Sequence, residues 1–134
     1  MAIKINTEKR IFTLETKHTM YQMQADTYGV LRHLWYGAKT GCDMSYLQDY
    51  PDVGFSGNPH DAGNDRTYSL DTLPLEYAGA GIGDFRVPAV EAVHADGSCA
   101  LDLRYYSHTV KQGKYAIAGL PALYAGEDEA ETLE

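Results

Sequence analysis

The chain has 134 residues, a formal net charge of −8 and 44% hydrophobic residues, which is typical of one globular domain. The negative charge excludes a general attraction to the phosphates of nucleic acid or to an anionic membrane surface. The first residues lack the apolar stretch of a secretory signal, and no run is long enough to cross a bilayer, so we expect a cytoplasmic protein.

Period-two alternation of side chains predicts three strands in the first third of the chain. They cover Ile11–Thr16, Thr19–Ala25 and Val30–Tyr36. Lys17 and His18 separate the first two strands closely enough for a tight hairpin, and a glycine stands on each side of the third strand. This part of the chain is therefore predicted to be β-structure.

A long irregular segment, from about Thr40 to Gly83, interrupts the predicted strands. Its most distinctive part, Phe55–Ala89, is rich in Gly, Pro, Asn, Asp, Arg and Tyr and poor in long aliphatic residues. Long loops without periodicity are uncommon in small domains and are usually either functional or disordered. The aromatic and turn-forming residues favour an ordered loop that has a function.

Further strands are predicted downstream of the loop, at Phe85–Val87, Ala89–His94, Ala100–Ser107 and Tyr115–Ala118. Asp96–Gly97 is a hairpin signal between two of them. Ala130–Glu134 resembles the beginning of one more strand, which we interpret as a chain cut from a longer protein. Because no long amphipathic helical pattern is present, the sequence predicts an all-β fold, an antiparallel β-sandwich with one long irregular loop.

The residues that could hold a metal do not form a recognisable ligand set. Cys42 and Cys99 stand outside any CxxC or Cys-His spacing and are predicted to be free thiols. His60, Asp61 and Asp65 could ligate a metal, but their spacing matches no known metal-binding loop. We therefore predict neither a metal nor a cofactor.

Acidic residues are frequent in the loop, and glycoside hydrolysis requires two carboxylates on either side of one bond. The candidates are Asp49, Asp52, Asp61, Asp65, Asp71, Glu76 and Asp84. Most loop carboxylates form turns or are solvated, so we predict no catalytic pair in this chain. Neither a nucleophile elbow nor a glycine-rich phosphate loop in its required context is present.

Two arginines and two aromatic residues are candidates for contact with a ligand. The guanidinium group of Arg66 or Arg86 could donate to a ligand hydroxyl, or could brace the loop against a carboxylate or backbone carbonyls. For Arg86, which begins a predicted strand, we favour bracing. For Arg66, in the middle of the loop, both interpretations stay open. Tyr50 and Phe55 are candidates for an exposed contact with a sugar face.

Several runs in order along the chain carry a family resemblance, namely Leu34–Gly37, Phe55–Pro59, Asp65–Tyr77, Gly83–Arg86, Asp102–Tyr105, Gly113–Lys114, Gly119–Ala122 and Ala130–Glu134. Together they resemble the N-terminal domain of bacterial α-galactosidases of glycoside hydrolase family 36. The resemblance implies a non-catalytic, supersandwich-like β-domain followed by a (β/α)8 barrel, which carries two catalytic aspartates outside residues 1–134. It also implies retaining hydrolysis of α-1,6-galactosides such as melibiose and raffinose, without a metal.

The same resemblance implies a role for the loop. Many members of the family are homotetramers, in which this loop reaches the active site of a neighbouring subunit. In the better-matched members an Asp and an Arg of the loop contact the bound sugar, and by motif position these fall on Asp52 and Arg66. With Phe55 as a wall of the pocket, these are the predicted substrate-binding residues. The alternatives are a standalone carbohydrate-binding module, a structural spacer and an enzyme in its own right.

Overall fold

The computed structural model describes residues 2–48, 58–114, 116–122 and 130–134, and there the fold is all-β and antiparallel, as predicted. The strands are β1 (Ala2–Asn6), β2 (Ile11–Glu15), β3 (Thr19–Ala25), β4 (Leu31–Ala38), β5 (Val110–Gln112) and β6 (Glu131–Leu133). Two short 3-10 helices, Ser45–Gln48 and His60–Ala62, lie between β4 and β5. No helix in these ranges has the length and apolar character that a membrane span requires.

The first four strands form one sheet in the order β1-β2-β3-β4, and β5 pairs with β6 in a second sheet. The β3–β4 ladder contains a β-bulge, because Gln22 pairs with Trp35 whereas Met23 pairs with His33. Leu34 is the additional residue and is buried. Leu34 is also the buried residue of β4, so the position that the bulge adds to the strand is the one that packs in the core.

One hydrophobic cluster joins this sheet to the beginning of the long excursion; it consists of Ile11, Met20, Leu34 and Met44, with Trp35 packed against it. The buried amide of Gln22 fixes the excursion here. Its Nε2 donates to Thr13 Oγ1 and to the carbonyl of Cys42, each at 3.0 Å, and its Oε1 accepts the N–H of Met44 at 3.0 Å. Every polar atom of this buried amide therefore has a partner, as burial requires.

A second hydrophobic cluster packs the excursion against the residue that precedes β4; it consists of Val30, Ala62, Tyr68, Leu70 and Leu73. The far end of the excursion runs beside β4, since the N–H of His33 donates to the carbonyl of Pro74 at 2.7 Å and the N–H of Glu76 donates to that of Leu31 at 3.0 Å. The described part of the loop is therefore packed and hydrogen-bonded, which confirms the prediction that it is ordered.

The strands predicted downstream of the loop are wrong, since the described residues of Phe85–Val87, Ala89–His94, Ala100–Ser107 and Tyr115–Ala118 form no strand beyond one bridge at Val90. Among the described residues, Ala100–Ser107 makes separate backbone bonds to loops, from the N–H of Leu101 to the carbonyl of Ala80 at 2.9 Å and from the N–H of Tyr105 to that of Gly29 at 2.7 Å. A strand requires a neighbour that continues the ladder, and alternation within one segment does not reveal whether that neighbour exists.

The predicted hairpin at Asp96–Gly97 is confirmed only as a turn, since the segments on its two sides form no strands. In this turn the N–H of His94 donates to the carbonyl of Ser98 at 2.9 Å, and Gly97 has a φ of 82°. Ala130–Glu134 contains β6, although its partner β5 was not predicted. Both cysteines are free and exposed.

Candidate functional site

The predicted substrate-binding residues are only partly within the described ranges. Asp52 and Phe55 lie outside the described residues, as does Tyr50. Arg66 is described, and its side chain is exposed on the long excursion. The surroundings of Arg66 are therefore the part of the predicted site that the structure defines.

Arg66 occupies the second position of a tight turn. The N–H of Tyr68 donates to the carbonyl of Asp65 at 3.2 Å, which closes the turn. The carboxylate of Asp65 accepts the N–H of Thr67 at 3.0 Å and its hydroxyl at 2.6 Å, an arrangement that explains why aspartate suits the first position of a turn. The side-chain amide of Asn58 also donates to the carbonyl of Asp65. These bonds hold the backbone on both sides of Arg66.

Tyr68 fastens this turn to the sheet. Its side chain is only 4% exposed, and its hydroxyl donates to Oδ2 of Asp26 at 2.5 Å. The ring makes a T-shaped contact with the ring of Tyr28, with 4.7 Å between centroids, and the guanidinium carbon of Arg32 lies 4.9 Å from the centroid of the Tyr68 ring. Burial and the bond to Asp26 raise the pKa of Tyr68 above its usual value, so the hydroxyl is a proton donor at neutral pH.

Asp26 is the centre of a buried polar group that we name the Asp26 cluster, formed by Asp26, Arg32 and Tyr68. Besides Tyr68, Oδ2 accepts Nε of Arg32 at 2.9 Å and pairs with its Nη2 at 2.8 Å. Oδ1 accepts the backbone N–H groups of Tyr28 and Val30, both at 2.9 Å. Such full satisfaction is what makes a buried ion pair tolerable, because desolvation of two charges is costly.

Arg32 extends the cluster to the other limb of the excursion. Its Nη1 donates to Oε1 of Gln48 at 3.2 Å, and Nε2 of Gln48 donates to the carbonyl of His33 at 3.0 Å. Gln48 precedes Asp52 by four residues in the sequence. The Asp26 cluster thus contacts the excursion on both sides of residues 49–57.

Arg86 braces the loop, as favoured from the sequence. Its Nε and Nη2 pair with the two carboxylate oxygens of Asp84 at 2.9 and 3.0 Å. Nη2 also donates to the carbonyls of Leu70 and Leu73 at 2.7 and 2.8 Å. These donors are therefore directed at a carboxylate and at backbone carbonyls of the loop itself, which supports a structural role.

The candidate metal ligands do not converge. Asp61 lies 3.4 Å from a guanidinium nitrogen of Arg104, and Asp65 caps its own turn. Across the described ranges, no three His, Cys, Asp or Glu side chains are grouped closely enough to hold an ion. Glu76 is engaged elsewhere, because it accepts the hydroxyl of Tyr21 and lies 3.0 Å from Nδ1 of His33.

Sequence reasoning missed the Asp26 cluster. A local signal was present, since Asp26 and Gly29 stand at the first and fourth positions of a turn, and Gly29 has a φ of 79°. The partner of the carboxylate, Tyr68, is 42 residues away, and no local pattern identifies it.

A family profile and the sequences of known proteins both relate this chain to α-galactosidases. The sequence profile of the family described as "Glycosyl hydrolase family 36 N-terminal domain" matches residues 29–134. The chain is 53% identical over 134 residues to the bifunctional alpha-galactosidase/sucrose kinase AgaSK of Mediterraneibacter gnavus, covering 100% of this chain and 14% of that protein. It is 41% identical over 137 residues to alpha-galactosidase AgaA of Geobacillus stearothermophilus, covering 100% of this chain and 18% of AgaA.

Solved structures agree with the sequence comparison. The galactosidase domain of AgaSK superimposes with a TM-score of 0.94 at 52% identity, over 98% of this chain and 18% of that one. A variant of AgaA in complex with raffinose gives a TM-score of 0.82 at 39% identity, over 92% of this chain and 17% of that one. The chain therefore spans less than one fifth of the relatives that it matches.

Proposed function

The chain belongs to the glycoside hydrolase family 36 N-terminal domain family, and we propose that it serves as the non-catalytic N-terminal domain of a retaining α-galactosidase. The substrates of the whole enzyme would be terminal α-galactosides such as melibiose and raffinose. The observation that carries this proposal is similarity along the full chain to α-galactosidases that are several times longer. The reaction itself would take place in a (β/α)8 barrel outside residues 1–134.

The role that we propose for this domain is to supply oligomer contacts and a loop that helps to bind substrate in a neighbouring subunit of a cytoplasmic homotetramer. Arg66 would donate to a sugar hydroxyl, Asp52 would accept from one, and Phe55 would form a wall of the pocket. For Arg66 the support is structural, because its exposed side chain stands on a turn held by hydrogen bonds on both sides. Fixed loops on a rigid sheet are well suited to ligand binding.

The charge of the chain is compatible with this substrate class. A net charge of −8 would repel anionic ligands, whereas a neutral oligosaccharide experiences no such long-range force. Recognition would then depend on short-range donors and acceptors, for which the planar guanidinium of Arg66 provides several N–H groups. No metal or cofactor is needed for this binding role.

A second candidate function is a standalone carbohydrate-binding module. It is favoured by exposed tyrosine rings, since Tyr36, Tyr46 and Tyr77 are 69%, 64% and 56% exposed. Flat aromatic rings at a surface can pack against the apolar face of a sugar. In this case the isolated chain would bind galactosides without any partner.

The two functions predict different behaviour of residues 1–134 alone. We expect the longer protein that contains this chain to release galactose from raffinose. We expect the isolated chain, once circular dichroism shows that it is folded, to hydrolyse no p-nitrophenyl α-galactoside and to bind raffinose no more tightly than about 1 mM, or ~4 kcal/mol. Calorimetric titration measures the binding. Saturable binding in the micromolar range would favour the carbohydrate-binding module, and turnover by the isolated chain would contradict both functions.

A further inference from the structure

We propose that Tyr68 and Asp26 are positioning residues for Arg66, and that their buried hydrogen bond sets the place of the guanidinium group relative to the sheet. This inference rests on the proposed function, in which Arg66 contacts substrate. It goes further by assigning a role in substrate affinity to two buried residues that themselves touch no substrate.

The first step is the short connection between Tyr68 and Arg66. The two residues share one turn, which is closed by the N–H of Tyr68 on the carbonyl of Asp65 at 3.2 Å. Thr67 between them is fixed through its N–H and its hydroxyl, both on the carboxylate of Asp65. A shift of Tyr68 is therefore transmitted to Arg66, because the turn has little freedom to absorb it.

The second step is the rigidity of Asp26, which accepts the hydroxyl of Tyr68. Without Tyr68, the carboxylate of Asp26 would still hold two backbone N–H groups and two nitrogens of Arg32. Asp26 follows β3 directly and Arg32 lies in β4, so this ion pair belongs to the four-stranded sheet. The hydroxyl of Tyr68 thus connects the turn of Arg66 to the most regular part of the fold.

The third step separates the hydroxyl of Tyr68 from its ring. The ring belongs to one hydrophobic cluster with Leu70 and Leu73, and it makes a T-shaped contact with the ring of Tyr28. Tyr68→Phe preserves these contacts and removes only the bond to Asp26. Because hydrogen bonds weaken steeply away from ideal distance and angle, a small displacement of Arg66 is enough to weaken its contact with a sugar hydroxyl.

The test uses Tyr68→Phe in the longer α-galactosidase, with steady-state kinetics on raffinose. We expect KM to rise about three- to tenfold while kcat stays within about twofold. This pattern is expected when a variant loses an interaction that is equally strong in the bound substrate and in the transition state. Tyr28→Phe is the matched control, because Tyr28 is the ring partner of Tyr68 and its hydroxyl makes no hydrogen bond within the described ranges. Its KM should remain at the wild-type value.

A double-mutant cycle with Arg66→Ala distinguishes positioning from other effects. If Tyr68 acts through Arg66, Tyr68→Phe should change KM less than about twofold in the Arg66→Ala background. An equal rise in both backgrounds would overturn the inference. So would a wild-type KM for Tyr68→Phe when Arg66→Ala raises KM, although the proposed function would then stand. An unchanged KM for Arg66→Ala itself would overturn the proposed function and this inference together.

Discussion

Replacement of Arg66 by alanine is expected to raise KM for raffinose about 10- to 100-fold in the proposed full-length α-galactosidase. A hydrogen bond to a charged group contributes about 1.5–3 kcal/mol, and each 1.4 kcal/mol corresponds to a tenfold change in affinity. We expect the fold to be retained, because the side chain is exposed and bonds of Asp65, Thr67 and Asn58 hold the turn. Steady-state kinetics and thermal unfolding measure the two effects separately.

Two further variants make the Arg66 result specific. Arg66→Lys retains the charge but loses the planar donor fork, so we expect a KM between those of the wild type and Arg66→Ala. Lys17→Ala removes an exposed cation from the turn between β2 and β3 and should leave KM unchanged, since the substrate is neutral. Wild-type kinetics for Arg66→Ala would contradict a contact between this loop and the substrate.

Replacement of Asp26 by alanine is expected to lower the free energy of unfolding of this domain by about 3–5 kcal/mol, the usual effect of leaving a buried charge without its partner. The guanidinium of Arg32, only 12% exposed, would lose its ion pair. Three further donors, the hydroxyl of Tyr68 and the N–H groups of Tyr28 and Val30, would also lose their acceptor. Calorimetry or denaturant unfolding of the wild type and the variant measures the difference.

Asp102→Ala is the matched control for Asp26→Ala. The carboxylate of Asp102 also accepts two guanidinium hydrogen bonds, from Nε and Nη2 of Arg104 at 2.6 and 3.0 Å. The side chain of Asp102, however, is 48% exposed. Exposed pairs contribute only about 0–1 kcal/mol, so this variant should be close to the wild type in stability. Equal losses in the two variants would contradict the view that burial makes the Asp26 cluster important.

The sheet was predictable wherever the pattern was local. β2, β3 and β4 were predicted correctly because successive side chains of a strand point to opposite faces of the sheet, and their sequences alternate accordingly. β1 shows the same alternation at Ile3 and Ile5 but was not predicted. β5, with three exposed residues, exists because it pairs with β6, and such pairing is a tertiary property.

The wrong strands show the limit of periodicity. Leu101, Leu103 and Tyr105 alternate with polar residues, yet in the described part of the chain their segment bonds to loops at single points and not to a neighbouring strand. The pattern reports which side chains could be buried together, and it carries no information about which backbone is close enough to complete a ladder.

The candidate site was predictable in the same uneven way. For Arg66 the sequence left ligand binding and bracing open. Bracing by Arg86 was predicted correctly, but from its place at the start of a strand that the structure does not form. The bond from Tyr68 to Asp26 depends on two residues 42 positions apart, so only the folded chain reveals it. The roles of Asp52 and Phe55 stay predictions.

The measurement that tests the central claim most directly is complementation between subunits of the longer enzyme. One subunit would carry Arg66→Ala with an intact barrel, and the other would carry the native loop with its barrel nucleophile replaced. If the loop serves a neighbouring subunit, coexpression places native loops beside intact barrels, and activity with the wild-type KM for raffinose reappears. Mixed preparations with no more activity than the sum of the two separate variants, and with the KM of Arg66→Ala, would contradict the claim.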